Sequence, residues 1–316
     1  MLHRLLPAFI ALAAAGAVPA SAAAAAAKVV RRTFELRAGG LLKIDAYHGS
    51  IDVEASDDGR VHLEIDLDPG AYSPGESERI LKSLQLEFRE EPCAVVVTAR
   101  NPAETGMHLV WKERSPLGLD FRARVPPACS LDLFTGEGEI SVDDLAGRVS
   151  ARVKMGIVFL RHIDGDVSVA ADAGDVVLSG CTGSADIRAV KGGIRAGTVR
   201  GRADLRSTDG DIELQHAFGG GSIAAEVGDV IVGIPEEMDA EMRISTNGGA
   251  ITVRLDPAAR CDLKASSVWG RVHTKLPFVV ESGGDGKKSL IGRLNGGGAL
   301  LAVHADGGQV SIVAPP

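Results

Sequence analysis

From Gly138 onward, apolar and polar residues alternate in short bursts, and each burst begins just after a glycine. Gly occupies positions 138, 147, 156, 165, 174, 183, 192, 201, 210, 219 and 228, an unbroken run at a spacing of nine. Two kinds of segment take turns between these glycines, so the repeating unit is 18 residues. One kind reads GIVFL at Gly156, GDVVL at Gly174, GGIRA at Gly192, GDIEL at Gly210 and GDVIV at Gly228. The other reads GRVSA at Gly147, GDVSV at Gly165, GSADI at Gly183 and GRADL at Gly201.

A period of two marks a strand with one buried face. In the first kind of segment the expected inward pairs are Val158/Leu160, Val176/Leu178, Ile212/Leu214 and Val230/Val232. In the second they are Val149/Ala151, Val167/Val169, Ala185/Ile187 and Ala203/Leu205. A third inward column is Leu145, Ile163, Cys181, Val199 and Ala217. One such strand cannot bury its apolar face alone, but stacked coils build a continuous core between them. Glycine is expected at the corners, where a positive φ would be strained for a residue with a Cβ. The predicted fold is all-β: a single elongated β-solenoid of 18-residue coils with Gly every nine residues, and a β-rich N-terminal cap portion.

The pattern drifts beyond Gly228 but persists at Gly249-Ala250-Ile251, at Gly270-Arg271-Val272 and at Gly308-Gln309-Val310. Residues 128–316 are therefore assigned to the solenoid repeat and residues 28–127 to the N-terminal portion. That portion carries strand patterns around Ile51 and over 94–98. One short helix is expected over residues 77–88, with Ile80, Leu81, Leu84 and Phe88 on one face. It should cap or extend the stack, because an open end exposes unpaired strand edges.

Residues 1–22 read as a signal peptide. His3 and Arg4 make a basic start, residues 5–18 are apolar, and Ala20-Ser21-Ala22 is a small-residue cleavage pattern. The apolar stretch is too short for a membrane anchor and contains Pro7, and no later run approaches spanning length. The expected location is periplasmic or extracellular.

Several motifs resemble the exported bacterial "putative adhesin" family, a β-solenoid family of unknown function. They are Ala38-Gly39-Gly40-Leu41, then Gly49-Ser50-Ile51-Asp52-Val53, and the run from Val125 to Leu133 that leads into G-D-[VI] strands. The terminal Gly296-Gly297-Gly298 and Gly307-Gly308, each followed by a strand, complete the likeness. The resemblance implies export, the solenoid fold and an adhesin-like role. It carries over no functional residues.

Charge and chemistry narrow the function further. The net charge is −8, aromatics are 4% of residues, and no Lys/Arg-rich run occurs, which argues against nucleic acid. No zinc-hydrolase, P-loop, nucleophile-elbow or paired-Cys metal motif is present. The acidic pairs Asp57-Asp58, Glu90-Glu91, Asp143-Asp144 and Glu236-Glu237 sit in turn-like contexts. Asp follows Gly at 166, 175, 211 and 229, but without the further glycines of a calcium β-roll. Neither catalytic, cofactor nor metal residues are assigned. Of the four cysteines, Cys129, Cys181 and Cys261 lie several coils apart, so only Cys93 with Cys129 is left open as a disulfide.

One outward column stands out. The residue five after Gly in the second kind of segment is Arg152, Ala170, Arg188 and Arg206 on successive coils. Asp186 and Asp204, two residues earlier on the same face, are expected to neutralise two of these arginines. Arg152, Arg188 and Arg206 form the candidate surface for an anionic ligand. The expected function is an exported, non-catalytic, adhesin-like structural or binding protein of the cell envelope. Its partner would be an envelope polysaccharide or an envelope protein. The alternatives are an envelope-stress sensor or regulator acting through a protein partner and, below it, a polysaccharide-active enzyme.

Overall fold

The computed structural model describes residues 28–68, 75, 82–101, 118–238 and 240–315. The signal-peptide stretch lies outside them, as do residues 77–81 of the expected helix. The N-terminal strands are β1 (Lys28–Glu35), β2 (Leu41–Ala46), β3 (Ile51–Ala55), β4 (Arg60–Asp68), β5 (Gln85–Glu91), β6 (Ala94–Arg100) and β7 (Gly118–Val125). The regular repeat follows as β8 (Ser130–Glu137), β9 (Ile140–Leu145), β10 (Val149–Met155), β11 (Val158–Ile163), β12 (Val167–Ala173) and β13 (Val176–Cys181). It continues through β14 (Ala185–Lys191), β15 (Ile194–Val199), β16 (Ala203–Asp209), β17 (Ile212–Ala217), β18 (Gly221–Val227) and β19 (Val230–Ile234). The C-terminal strands are β20 (Met242–Thr246), β21 (Ile251–Leu255), β22 (Cys261–Ser267), β23 (Val272–Thr274), β24 (Val279–Gly283), β25 (Ser289–Leu294), β26 (Ala299–Ala305) and β27 (Val310–Val313).

Each coil lays one strand in a 14-stranded front sheet and the next in a 13-stranded back sheet. Along the repeat the strands are parallel, and partners sit one coil apart, as in Val149↔Val167, Val167↔Ala185 and Ala185↔Ala203. Every expected inward pair is buried, and so is the third column from Leu145 to Ala217. These side chains fill the space between the sheets as a single core.

The nine-residue glycine spacing has two causes rather than one. At Gly138, Gly156, Gly174, Gly192, Gly210 and Gly228, φ lies between 136° and 155°. A Cβ on Gly156 would also stand 1.9 Å from the Gly138 carbonyl oxygen one coil below. The intervening corners, such as Gly165, do not have positive φ. There only the stacking forbids a side chain: a Cβ on Gly165 would stand 2.5 Å from the Gly147 carbonyl oxygen. Positive φ thus explains every second glycine, and close coil packing explains them all.

The drift after Gly228 is an enlarged corner. β18 pairs Gly221 with Met242, and β19 pairs Val230 with Ile251, each three residues beyond the regular step. The coil order then departs from the chain order. β26 lies between β20 and β22, and β27 lies between β21 and β23. The last coil of the chain is therefore inserted into the stack rather than added to its end. β25 closes that end antiparallel to β22, and β24 pairs antiparallel with β25 at the edge.

The N-terminal strands extend the stack the other way. β2 pairs parallel with β8, and β3 with β9. β6 and β7 form the next coil out, followed by antiparallel β5 on one sheet and β4 and β1 on the other. The expected helix is corrected here: residues 85–88 belong to β5, and among the described residues only Gly75, Lys82 and Ser83 are helical. Leu84, Leu86 and Phe88 also fit a period of two, and β5 satisfies the open edge of β6. Phe88 then packs against Phe34, with ring centroids 6.0 Å apart.

All four cysteines are free. Leu41 pairs with Ala94 on one side and Ser130 on the other, so Cys93 and Cys129 flank β2 from opposite sides. Two strand spacings, about 9.6 Å, exceed the roughly 7 Å that a disulfide spans. Among the described residues no helix is long and apolar enough to cross a membrane.

Candidate functional site

The outer face of the front sheet carries the arginine column in register. Phe134 pairs with Arg152, Arg152 with Ala170, Ala170 with Arg188, and Arg188 with Arg206. Arg188 and Arg206 are thus direct neighbours, about one strand spacing (~4.8 Å) apart. Arg152 stands one strand further off, beyond Ala170.

Their partners differ from one another. Arg188 bonds Asp186 at 3.1 Å, as expected from the sequence. Arg152 reaches across to Asp132 at 2.9 Å. Asp204 does not serve Arg206. Arg202, two residues before it, grips both of its carboxylate oxygens at 2.7 and 3.0 Å. A guanidinium fork on a carboxylate is strong and directional, and Arg202 is the arginine that makes it here. Among the described residues Arg206 forms no ion pair.

Toward the N-terminal end the column runs into a depression of about 810 Å³. Phe134 and Tyr47 are half-buried in it, with Lys43, Arg152 and Lys154 at its rim. Lys43 bonds Asp132 at 2.7 Å, so one carboxylate holds two cations apart. Arg100 bonds Asp45 at 3.4 Å on the far side. Position 136 in its lining must be glycine, because backbone packs against it: a Cβ on Gly136 would lie 2.2 Å from the Tyr47 carbonyl oxygen. Sequence reasoning reached only Arg152 of this group. Lys43 and Asp132 are 89 residues apart and meet only because β2 stacks on β8.

The Asp residues that follow Gly have a structural task. Asp175 accepts the amide of Gly193, Asp211 that of Asp229, and Asp229 that of Ala250, each at 2.8 Å. Asp143, Asp144 and His162 gather at one exposed corner within reach of a common ion. Arg161 already bonds Asp143 at 2.9 Å, which raises the guanidinium pKa further, and three ligand groups fall short of calcium's six to eight oxygens.

Two hydroxyl–imidazole–carboxylate arrangements also occur. Ser266 Oγ meets His304 Nδ1 at 2.8 Å, and His304 Nε2 meets Asp306 at 2.9 Å. Thr33 meets His62 at 3.1 Å, and His62 meets Asp58. Both lie on open strand faces, with the imidazole side chains 52% and 40% exposed. Nucleophilic catalysis needs an enclosed reacting centre with oxyanion donors as well as the triad. These groups came together unannounced, because the strands that supply them are far apart in the chain.

None of the curated proteins matches the chain. Solved structures align along most of its length at low identity. A "putative adhesin" from Bacteroides fragilis is 9% identical, covering 90% of this chain and 97% of its own, with a TM-score of 0.42. A "putative cell adhesion protein" from Clostridium sporogenes is 11% identical over 91% and 100%, with a TM-score of 0.27. A "putative lipid binding protein" from Parabacteroides distasonis is 12% identical over 90% and 96%, with a TM-score of 0.32. The Toastrack DUF4097 profile matches residues 122–313, from the middle of β7 to the end of β27. With most of its solenoid inside that match, the chain belongs to the Toastrack DUF4097 family.

Proposed function

We propose that the protein is exported to the cell envelope and works there as a non-catalytic, adhesin-like binding scaffold. Its contact surface is the outer face of the front sheet. One observation carries this reading: the in-register row Phe134, Arg152, Ala170, Arg188 and Arg206, which sets three arginines on one face of a single packed core. Guanidinium groups set along one face suit an extended anionic polymer of the envelope. The chain as a whole carries −8, so attraction to such a polymer is local to this row and is weakened by salt.

A second reading, a sensor or regulator acting through an envelope protein, draws on the opposite end of the stack. Trp269 is 80% exposed there, and the edge strand β24 shows Val279 and Val280 to solvent. The polysaccharide-active enzyme has the least support, since Ser266, His304 and Asp306 stand on an open face.

Two measurements test the scaffold reading. The purified protein should co-sediment with an envelope polysaccharide fraction at low salt and be released by salt. A fluorophosphonate probe should leave Ser266 unlabelled. Labelling at Ser266, abolished by Ser266→Ala, would replace the binding reading with an enzymatic one.

A further inference from the structure

The depression on the front sheet has a composition that neither the rest of that face nor the overall acidity of the chain accounts for. It gathers four cations, Lys43, Arg100, Arg152 and Lys154, against the carboxylates of Asp45, Asp132 and Glu137. Three of the cations are already held by acids in the sheet: Lys43 and Arg152 by Asp132, and Arg100 by Asp45. Lys154 is exposed and forms no ion pair among the described residues. One positive charge therefore remains unmatched at the rim of a concave surface.

The floor supplies the other half of a binding site. Phe134 sits between Asp45 and Arg152 in the same cross-strand row. Its ring is half-buried, fixed by the strand and open to the depression. Beside it, position 136 carries no side chain, because the Tyr47 carbonyl oxygen already occupies the place of a Cβ, so none crowds the Phe134 ring from there. A flat apolar ring accepts the C–H face of a pyranose, while Asp45 and Asp132 retain lone pairs for sugar hydroxyls. A volume near 810 Å³ falls within the range of small-molecule sites.

We infer that this depression binds an acidic saccharide unit, with a sugar ring stacked on Phe134 and its carboxylate paired to Lys154. The inference deepens the scaffold reading and rests on it: the arginine row would bind the polymer along its length, and the depression would seat one acidic unit.

The test uses the purified protein at low salt and calorimetric titration with trigalacturonate, with maltotriose and with inorganic phosphate. Trigalacturonate is expected to bind at least ~10-fold more tightly than maltotriose. Phe134→Ala and Lys154→Gln should each weaken it ~10-fold or more. Lys154 is an exposed side chain, so Lys154→Gln remains informative if Phe134→Ala fails to fold. Phosphate that competes equally in wild type and Phe134→Ala would reduce the site to a simple anion patch and overturn the inference. So would wild-type affinity for trigalacturonate in both single variants, or no binding of it at all. Retention on immobilised polygalacturonate separates the two levels. If Phe134→Ala and Lys154→Gln are retained as wild type and only the Arg188→Ala/Arg206→Ala double variant elutes early, the depression is not the seat but the arginine row stands. If wild type is not retained, the row fails as well.

Discussion

The amide of Asp229 donates to the carboxylate of Asp211 at 2.8 Å, and the carboxylate of Asp229 accepts the amide of Ala250 on the next coil at 2.8 Å. A side chain that starts one strand thus ties down the backbone of the next. Asp211→Ala should remove the acceptor and cost about 1 kcal/mol, whereas Asp211→Asn keeps an oxygen in place and should lose less. Denaturant midpoints of the two variants decide this. Equal losses would mean that the bond contributes nothing specific.

Alternation along β13 gives a sharper contrast. Val176 is fully buried and pairs with Val158 and Ile194, while Val177 is only half-buried on the outer face. Val176→Asp places an unpaired charge in the core, a cost of several kcal/mol, and should leave the protein unfolded or aggregated. Val177→Asp should fold with a melting temperature near that of wild type. Similar behaviour of the two variants would contradict the register.

The glycine corners can be ranked. At Gly156 a Cβ faces both a φ of 141° and a carbonyl oxygen 1.9 Å away. At Gly165 only the clash remains, at 2.5 Å. At Gly59 only the φ of 71° remains, with open space around it. Thermal denaturation of Gly156→Ala, Gly165→Ala and Gly59→Ala should show losses in that order, the last about 1 kcal/mol. A Gly156→Ala variant as stable as Gly59→Ala would show that the coils are not packed this closely.

Thiol chemistry reads the core from another side. Burial pushes the thiols of Cys129, Cys181 and Cys261 up to about 11, while Cys93 is exposed. In the unfolded chain these groups return to about 8.5. Between those values the unfolded chain has released protons that the folded chain retains. The stability contributed is therefore complete below pH ~8.5 and is lost as pH rises toward ~11. At pH 8 a disulfide reagent should titrate Cys93 rapidly in the native protein and the other three cysteines only after denaturation. Rapid reaction at Cys181 would place it outside the core.

Much of this architecture is legible in the chain because it is written locally. Val176 and Leu178 declare their face by spacing alone, and the glycine step fixes which coil each lies over. The inserted C-terminal coil is not legible. Gly308-Gln309-Val310 carries the same signal as any other coil, and only long-range pairing sends β27 between β21 and β23. Leu84 and Phe88 satisfy helical and strand periods alike, so the choice fell to the unpaired edge of β6. At the candidate site the arginine column is visible at a fixed offset from glycine. The partners are not, because Arg202 competes for Asp204 and Lys43 arrives from a distant strand. Phe134 and Gly136 acquire their meaning only when Tyr47 is stacked beside them.

The binding claim is met most directly by salt-gradient elution from an immobilised anionic polysaccharide. The wild-type protein should be retained at low salt despite its net charge of −8, and the Arg188→Ala/Arg206→Ala double variant should elute markedly earlier. Co-elution of the two, or passage of wild type through the column unretained, would contradict the account and leave the arginine row as a solvated surface.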